Sequence, residues 1–578
     1  MLFNSFTFLL FLPIVFLLYW FVFQRNLKLQ NAFLLLSSYV FYGWWDWRFL
    51  SLIIASSAVD YLCGLKMRST SLRADAGSEA ISSGHTSLRL SAVEEGGTAC
   101  PDSSGTKQSH QEKTSLLGRG TACPVRMSGT PWQSGREEKR LLQVDSDSNN
   151  SESADNLRND ASVIKHSRLP SSVSGLFHGR KLYLTLSLVF NLGLLGFFKY
   201  FNFFIDSAAD LISTIGFQPH ISTLNLILPV GISFYTFQTL SYSIDVYRGK
   251  LKPTKDPIAF FTFVAFFPQL VAGPIERASN LLPQFFKKRE FEYQQGSDGM
   301  KLILWGLFKK MVIADNCALI VNPIFDNYQT ASGLELIMGA VLFAFQIYGD
   351  FSGYSDIAIG VAKLFGFDLM TNFRTPYFSR DIAEFWRRWH ISLSTWFRDY
   401  VYIPLGGSRV PKAKAIRNIF IVFLVSGFWH GANWTFIVWG GIHAALFIPI
   451  FLIGKNRAYL HEGEHLLPSF KEVAQMLLTF SLVCVAWVFF RADTVGDAWG
   501  YFGGLFSNAF LPSNFAWFGY DLRVLLFLFI ILEWVGRIQF NWLEVISRKW
   551  YRYPIYVGVM VVLIWFGANE QQFIYFQF

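Results

Sequence analysis

His430 stands in the segment Gly427-Phe-Trp-His-Gly-Ala-Asn-Trp434, which holds no other ionisable side chain and lies between apolar runs. An ionisable group at membrane depth is costly to bury, so it marks a working site by default. Imidazole is also the side chain best suited to moving a proton near neutral pH. The small residues around it allow close backbone approach, and Asn433 is a candidate supporting residue. The competing role for His430 is hydrogen bonding between helices. His443 lies further along, rotated about 140° away on a continuous helix. Unless Gly440-Gly441 breaks that helix, His443 is not expected to be a partner.

The second chemical stretch runs from Asp381 to Gly407. Asp381 followed by Glu384 is a capping-box-like start, and Pro404 with Gly406-Gly407 is a stop. Between them Trp386, Trp389, His390, Leu393, Trp396, Phe397 and Tyr400 recur at three- and four-residue intervals, which predicts one helix with an aromatic face. Such a helix belongs at the cytoplasmic interface, with His390 turned inward as a second candidate catalytic residue and Trp389 as a supporting one. Arg387 and Arg388 are suited either to lipid phosphates or to the phosphates of a donor. A third stretch, Tyr348-Gly-Asp-Phe-Ser-Gly-Tyr-Ser-Asp356, carries Asp350 and Asp356. Either could orient a histidine or meet an arginine. Their spacing does not put them on one helical face, which favours structural ion pairing over a joint acid/base role.

His461-Glu-Gly-Glu-His465 matches the zinc-protease pattern H-E-x-x-H. It sits in a short polar loop with glycine at its centre, whereas zinc chemistry needs the pattern on a rigid helix. No metal site is expected. The five cysteines show no metal-ligand spacing and no disulfide framework. No Walker loop, dinucleotide fingerprint or G-x-S-x-G elbow is apparent.

These segments must be positioned by membrane helices. Of 578 residues 52% are hydrophobic and 18% aromatic, too apolar for a soluble surface. The net charge of +9 lies in short loops between apolar runs, so it reads as topology charge and not as a nucleic-acid footprint. The first run, Leu9 to Phe23, precedes Arg25 and Lys28 and lacks a cleavage site, which predicts a retained span with the N-terminus outside. The later runs predict an all-α polytopic protein of about 11 transmembrane helices, together with re-entrant or interfacial ones. The run 260–271, with basic flanks, Pro268 and Gly273-Pro274, predicts a hairpin that enters and leaves on the cytoplasmic side. Residues 1–66 are expected to form N-terminal membrane helices and 180–578 the main core. Residues 67–179 are expected to be a disordered polar insertion, since the stretch from about 69 to 174 is poor in aromatics and rich in Ser, Gly, Thr and charges. By parity this insertion is cytoplasmic.

Six ordered motifs resemble the membrane-bound O-acyltransferase family, and in particular its bacterial branch similar to the alginate O-acetylation membrane subunit. They are the opening Met-Leu-Phe-Asn-Ser, Pro229-Val-Gly-Ile-Ser-Phe-Tyr-Thr-Phe-Gln238, Gln269-Leu-Val-Ala-Gly-Pro-Ile-Glu276, Asp350 to Asp356, Phe385 to Gly407, and Gly427-Phe-Trp-His-Gly-Ala. The resemblance covers roughly residues 1–66 and 180–578. It implies a ring of tilted helices around a central funnel, the family's invariant histidine at His430 and a second characteristic one at His390. It also implies a cytosolic acyl thioester such as acetyl-CoA as substrate, with no bound cofactor, and a hydroxyl acceptor of the cell envelope reached from the other side. An extracytoplasmic acetyltransferase or a polysaccharide-synthesis protein is the expected partner, besides membrane lipids. The expected location is the bacterial cytoplasmic membrane. The rival class is a transporter or flippase using the same funnel without covalent chemistry. It predicts paired inverted repeats, and the spans show no convincing internal symmetry.

Overall fold

The computed structural model describes residues 1–86, 171–217, 224, 226–460, 467–512, 520–537, 543, 548–567 and 571–574. Among them every regular element is helical. In chain order these are α1 (Phe6–Leu17), α2 (Leu27–Asp46), α3 (Leu50–Thr86), α4 (Ser171–Leu195), α5 (Phe201–Thr214), α6 (Ile232–Tyr247), α7 (Pro257–Ala265), α8 (Phe267–Leu270), α9 (Ala278–Leu281) and α10 (Tyr293–Leu307). There follow α11 (Asp315–Asp326), α12 (Gly333–Leu364), α13 (Ile382–Arg388), α14 (Ile391–Phe397), α15 (Lys412–His430), α16 (Trp434–Leu452), α17 (Phe470–Arg491), α18 (Val495–Ser507), α19 (Tyr520–Gly536) and α20 (Lys549–Phe566). The chain divides into two compact units, 1–72 with 178–578, and 73–177. Most of the stretch expected to be disordered lies outside the described residues. Its two described ends are helical: α3 continues past residue 66 to Thr86, and α4 begins at Ser171.

Among the described residues, five helical segments are long and apolar enough to cross a membrane: Leu27–Arg68, Gly179–Thr214, Gly333–Leu364, Trp434–Leu452 and Phe470–Arg491. The protein is thus an integral membrane protein. The run at 260–271 does not form one crossing helix. It breaks at Phe266 into α7 and α8, and nine residues rise only about 14 Å against a hydrocarbon core of about 30 Å. Backbone groups near the break are met by buried side chains. Gln238 and Gln269 both donate to Phe263 O, and Ser38 Oγ accepts from Phe267 N. Irregular backbone at membrane depth survives only where protein supplies such partners.

The two apolar runs at 336–347 and 357–367 are one helix, α12, with the acidic stretch in its middle. Its ions are neutralised in place. Lys309 reaches Asp356 at 2.6 Å, and Lys310 reaches Asp350 at 2.8 Å and Asp315 at 2.7 Å. Both lysines lie on a π-helical turn, Phe308–Ala314, which joins α10 to α11. Elsewhere Asp60 of α3 accepts from Ser187 and Asn191 of α4 and from Ser243 of α6, tying three helices together.

Helices in lipid gain little from the hydrophobic effect against one another, so close van der Waals approach at small residues does the packing. Between α10 and α12 it is backbone to backbone. A Cβ on Gly306 would lie 2.5 Å from Gly353 O, and one on Gly299 would lie 2.6 Å from Gly360 O. Nothing stands within 4 Å of a Cβ placed on Gly193 of α4. Gly353→Ala is therefore expected to destabilise the protein by about 1–3 kcal/mol, while Gly193→Ala leaves stability level or slightly raised. Thermal unfolding of the two variants in detergent checks this, and an unchanged melting temperature for Gly353→Ala would contradict the contact.

Candidate active site

The helix expected from Asp381 to Gly407 is not continuous. Asp381 caps α13 by accepting from Glu384 N at 2.6 Å. Glu384 does not reach back to the cap residue. It takes Arg380 N at 2.8 Å and forms ion pairs with the Arg380 and Arg388 guanidinium groups. Burial alone would raise the Glu384 carboxyl. Hydrogen bonding from Arg380 and the charges of Arg388 and Arg380 hold it below its ordinary range instead.

The chain breaks at Trp389-His390. His390 takes a left-handed conformation, φ 43° and ψ 55°, and α14 starts after it. A left-handed residue other than glycine costs about 1–2 kcal/mol. The surroundings supply compensation: Arg374 N donates to Arg388 O at 3.0 Å, and Ile391 N donates to Asn372 O at 2.9 Å. The segment 372–374 thus replaces helical hydrogen bonds with tertiary ones. It also delivers the Asn372 side chain, whose Oδ1 lies 2.9 Å from His390 Nδ1 and accepts from Ser392 Oγ at 2.9 Å. Asn372 Nδ2 donates to Ser355 Oγ at 3.1 Å. With Oδ1 acting as the acceptor in this network, the His390 proton sits on Nδ1 and the Nε2 lone pair is left for chemistry.

His430 is the last residue of α15. The α15–α16 hairpin closes on glycine: a Cβ on Gly427 would meet Phe436 O at 2.2 Å, and one on Gly440 would meet Phe423 O at 2.3 Å. Gly431 is extended, and Asn433 caps α16 by accepting from Thr435 N at 3.0 Å. The exposed carbonyls at the end of α15 are met by a π-helical turn, Gly196–Tyr200, between α4 and α5. Lys199 Nζ donates to Trp429 O at 2.8 Å and His430 O at 2.9 Å, and Tyr200 OH donates to Phe428 O at 3.0 Å.

The two histidine rings meet in a buried aromatic nest, with centroids 6.4 Å apart. Trp429, Trp439 and Phe490 surround His430 at 4.8, 5.2 and 5.5 Å. Phe351 and Phe373 enclose His390 at 4.7 and 6.2 Å. His430 also lines a cavity of about 250 Å³ together with Lys199, Trp429, Gln572 and the start of α6. The cavity borders the start of α6, and the far end of that helix leads into the basic loop at 248–255.

The other residues singled out from the sequence are placed as follows. Trp389 packs on Trp487 at 5.0 Å and Phe373 at 5.1 Å, building the nest's wall. Asn433 donates to Asp493 O at 2.8 Å and serves the helix cap. Asp350 and Asp356 hold lysines, and α12 turns Phe351 to His390. Arg387 donates to Asn456 O at 2.8 Å and Arg388 pairs with Glu384, and neither lines the His430 cavity. His443 is separated from His430 by Trp439 and accepts at Nδ1 from Trp386 at 3.3 Å. The zinc-like pattern at 461–465 lies outside the described residues. No cluster of metal-ligating side chains occurs among the described residues.

Sequence reading missed Asn372 and Lys199. Lys199 carried a usable signal, a single cation just past an apolar run. Asn372, in a short polar loop, carried none.

Two buried imidazoles thus share one aromatic nest, and one of them lines a cavity. A family model described as MBOAT, membrane-bound O-acyltransferase family, matches residues 251–458, which hold both histidines. A probable alginate O-acetylase of Pseudomonas aeruginosa is 40% identical over 364 residues, 62% of this chain and 67% of the relative. A peptidoglycan O-acetyltransferase of Helicobacter pylori is 40% identical over 345 residues, 55% of this chain and 63% of the relative. A teichoic acid D-alanyltransferase of Bacillus subtilis is 30% identical over 290 residues, 47% of this chain and 71% of the relative. The chain belongs to the membrane-bound O-acyltransferase family, and its enzyme class is that of an acyltransferase.

Because asparagine tolerates the left-handed region, His390→Asn should keep the fold, whereas His390→Val should lose about 1–2 kcal/mol more in thermal unfolding. Asn372→Leu removes the acceptor shared by His390 and Ser392 and should cost about 1–3 kcal/mol, with loss of turnover. Asn372→Asp keeps an acceptor and should retain more of both. Equal stability and activity of the Leu and Asp variants would remove Asn372 from the site.

Proposed function

We propose that the protein is an O-acetyltransferase that passes an acyl group from a cytosolic thioester, acetyl-CoA in the favoured case, to a hydroxyl of a cell-envelope polysaccharide. The acceptor is reached either directly or through an extracytoplasmic partner protein. The observation that carries the reading is the meeting of His430 and His390 in one nest, with His430 alone of the two lining the cavity at the start of α6. The names of the relatives, which act on alginate, peptidoglycan and teichoic acid, support an envelope polymer as acceptor.

In this mechanism His430 takes the proton of the acceptor hydroxyl, whose oxygen attacks the thioester carbonyl carbon. The tetrahedral adduct collapses with loss of the thiolate, which recovers the proton. His390, its Nδ1 proton held by Asn372, presents Nε2 to orient or polarise the reactants. The aromatic walls keep out water that would hydrolyse the donor. Arg387 and Arg388 are assigned to the donor side in this reading, where meeting its phosphates would require them to leave Asn456 O and Glu384. The fuller architecture we propose is a ring of about 11 spans around a funnel. It sits in the bacterial cytoplasmic membrane with the N-terminus outside, an orientation supported by the basic loops after Phe23 and Tyr247.

Purified protein incubated with radiolabelled acetyl-CoA and candidate polysaccharides is expected to transfer label. His430→Ala should abolish transfer while membrane insertion and melting temperature stay near wild type. Turnover retained by that variant would sink the assignment of His430.

A further inference from the structure

Lys199 is a half-buried cation beside His430, and three observations bear on what it does. First, it lines the same cavity as His430. Second, its ammonium is fixed: two of its three protons go to Trp429 O and His430 O, at 2.8 and 2.9 Å, on a π-helical turn that has no other cation. Third, among the described residues no carboxylate pairs with it, and no acidic side chain lines the cavity. Lys309 and Lys310, which are more deeply buried, each hold aspartate. Among the described residues, Lys199 has helix-end carbonyls, the negative end of the α15 dipole and the Trp429 ring face at 6.0 Å to offset its charge. Its positive potential extends into a space walled by Trp429, Phe234, Val271 and Ile232, where little solvent screens it.

We infer that Lys199 is a further catalytic residue, which stabilises the oxyanion of the tetrahedral adduct formed beside His430. The inference rests on the acyl-transfer reading. As the acceptor oxygen forms its bond to the thioester carbonyl carbon, the carbonyl π pair moves onto oxygen and leaves a full negative charge there. The acceptor proton has gone to His430. Lys199 keeps all its protons and attracts the new oxyanion. When the adduct collapses, the pair returns, the C–S bond breaks, the thiolate leaves, and His430 gives the proton to it. A fixed donor aimed at charge that appears only in the transition state accelerates the chemical step without tightening ground-state binding. The two carbonyl clamps supply the rigidity this needs.

The rival role is capping of α15 alone. Three variants separate the two: Lys199→Arg, which keeps charge and donors, Lys199→Met, which keeps bulk only, and Lys199→Ala assayed with and without added methylammonium. The wild type and each variant are assayed with labelled acetyl-CoA and acceptor, and melting temperatures are recorded in parallel. The expected result for Met is a fall in kcat of about 100-fold with both KM values within threefold of wild type. Arg should retain more activity than Met, and methylammonium should restore part of the Ala variant's rate. If Met keeps kcat within threefold of wild type, the inference is overturned and the acyl-transfer reading stands. Equal losses in Met and Arg that follow melting temperature, with no methylammonium rescue, assign Lys199 to the cap and also overturn it. Absence of transfer in the wild type overturns the acyl-transfer reading and this inference with it.

Discussion

The contact on which the site depends is the backbone approach of α15 to α16, Gly427 against Phe436 and Gly440 against Phe423. With a Cβ at either glycine the helices would part, since neither carbonyl can move without breaking its own helix. This contact ends α15 at His430 and brings Trp439 against the imidazole. It also leaves three carbonyls, those of Phe428, Trp429 and His430, without helical partners. In hydrocarbon such groups must be satisfied by protein, and the Lys199-Tyr200 turn does so. One close approach thereby places His430, its aromatic wall and the neighbouring Lys199.

The ionisable groups buried in this helical body fall into two kinds. Asp350, Asp356, Asp315, Lys309 and Lys310 close an ion network between α10, α11 and α12, where each charge finds an opposite one. Asp60 is held by two hydroxyls and an amide. These groups lock helices together, and breaking one pair would strand a charge at a cost of about 3–5 kcal/mol. Lys199 and His390, like Asp60, are held by neutral partners. Both gather around His430.

Strain follows the same division. Among the described residues the non-glycine positions with positive φ are Thr375 and His390, at the two ends of one clamp. Arg374 and Ile391 secure that clamp through backbone hydrogen bonds. The left-handed turn gives His390 a direction that no helical position would give it. Asn372, bound to Ser355 and Ser392, sets its proton.

Composition and apolar run length were enough to determine a helical membrane protein, because an apolar segment has no other way to satisfy its backbone in lipid. The isolation of His430 in an uncharged segment, and the pairing role of Asp350 and Asp356, were likewise legible from residue type and spacing. Periodicity failed at 381–407. It assumes that each amide bonds four residues back, and the irregular segment 372–374 takes that place at His390. For the same reason two apolar runs flanking Asp350 and Asp356 looked separate yet form one helix, since lysines from a distant turn cancel the charges between them. Asn372 and Lys199 became visible as parts of the site only when helices far apart in the chain packed side by side, because their meaning lies in which carbonyl or imidazole they meet and not in their neighbours in sequence.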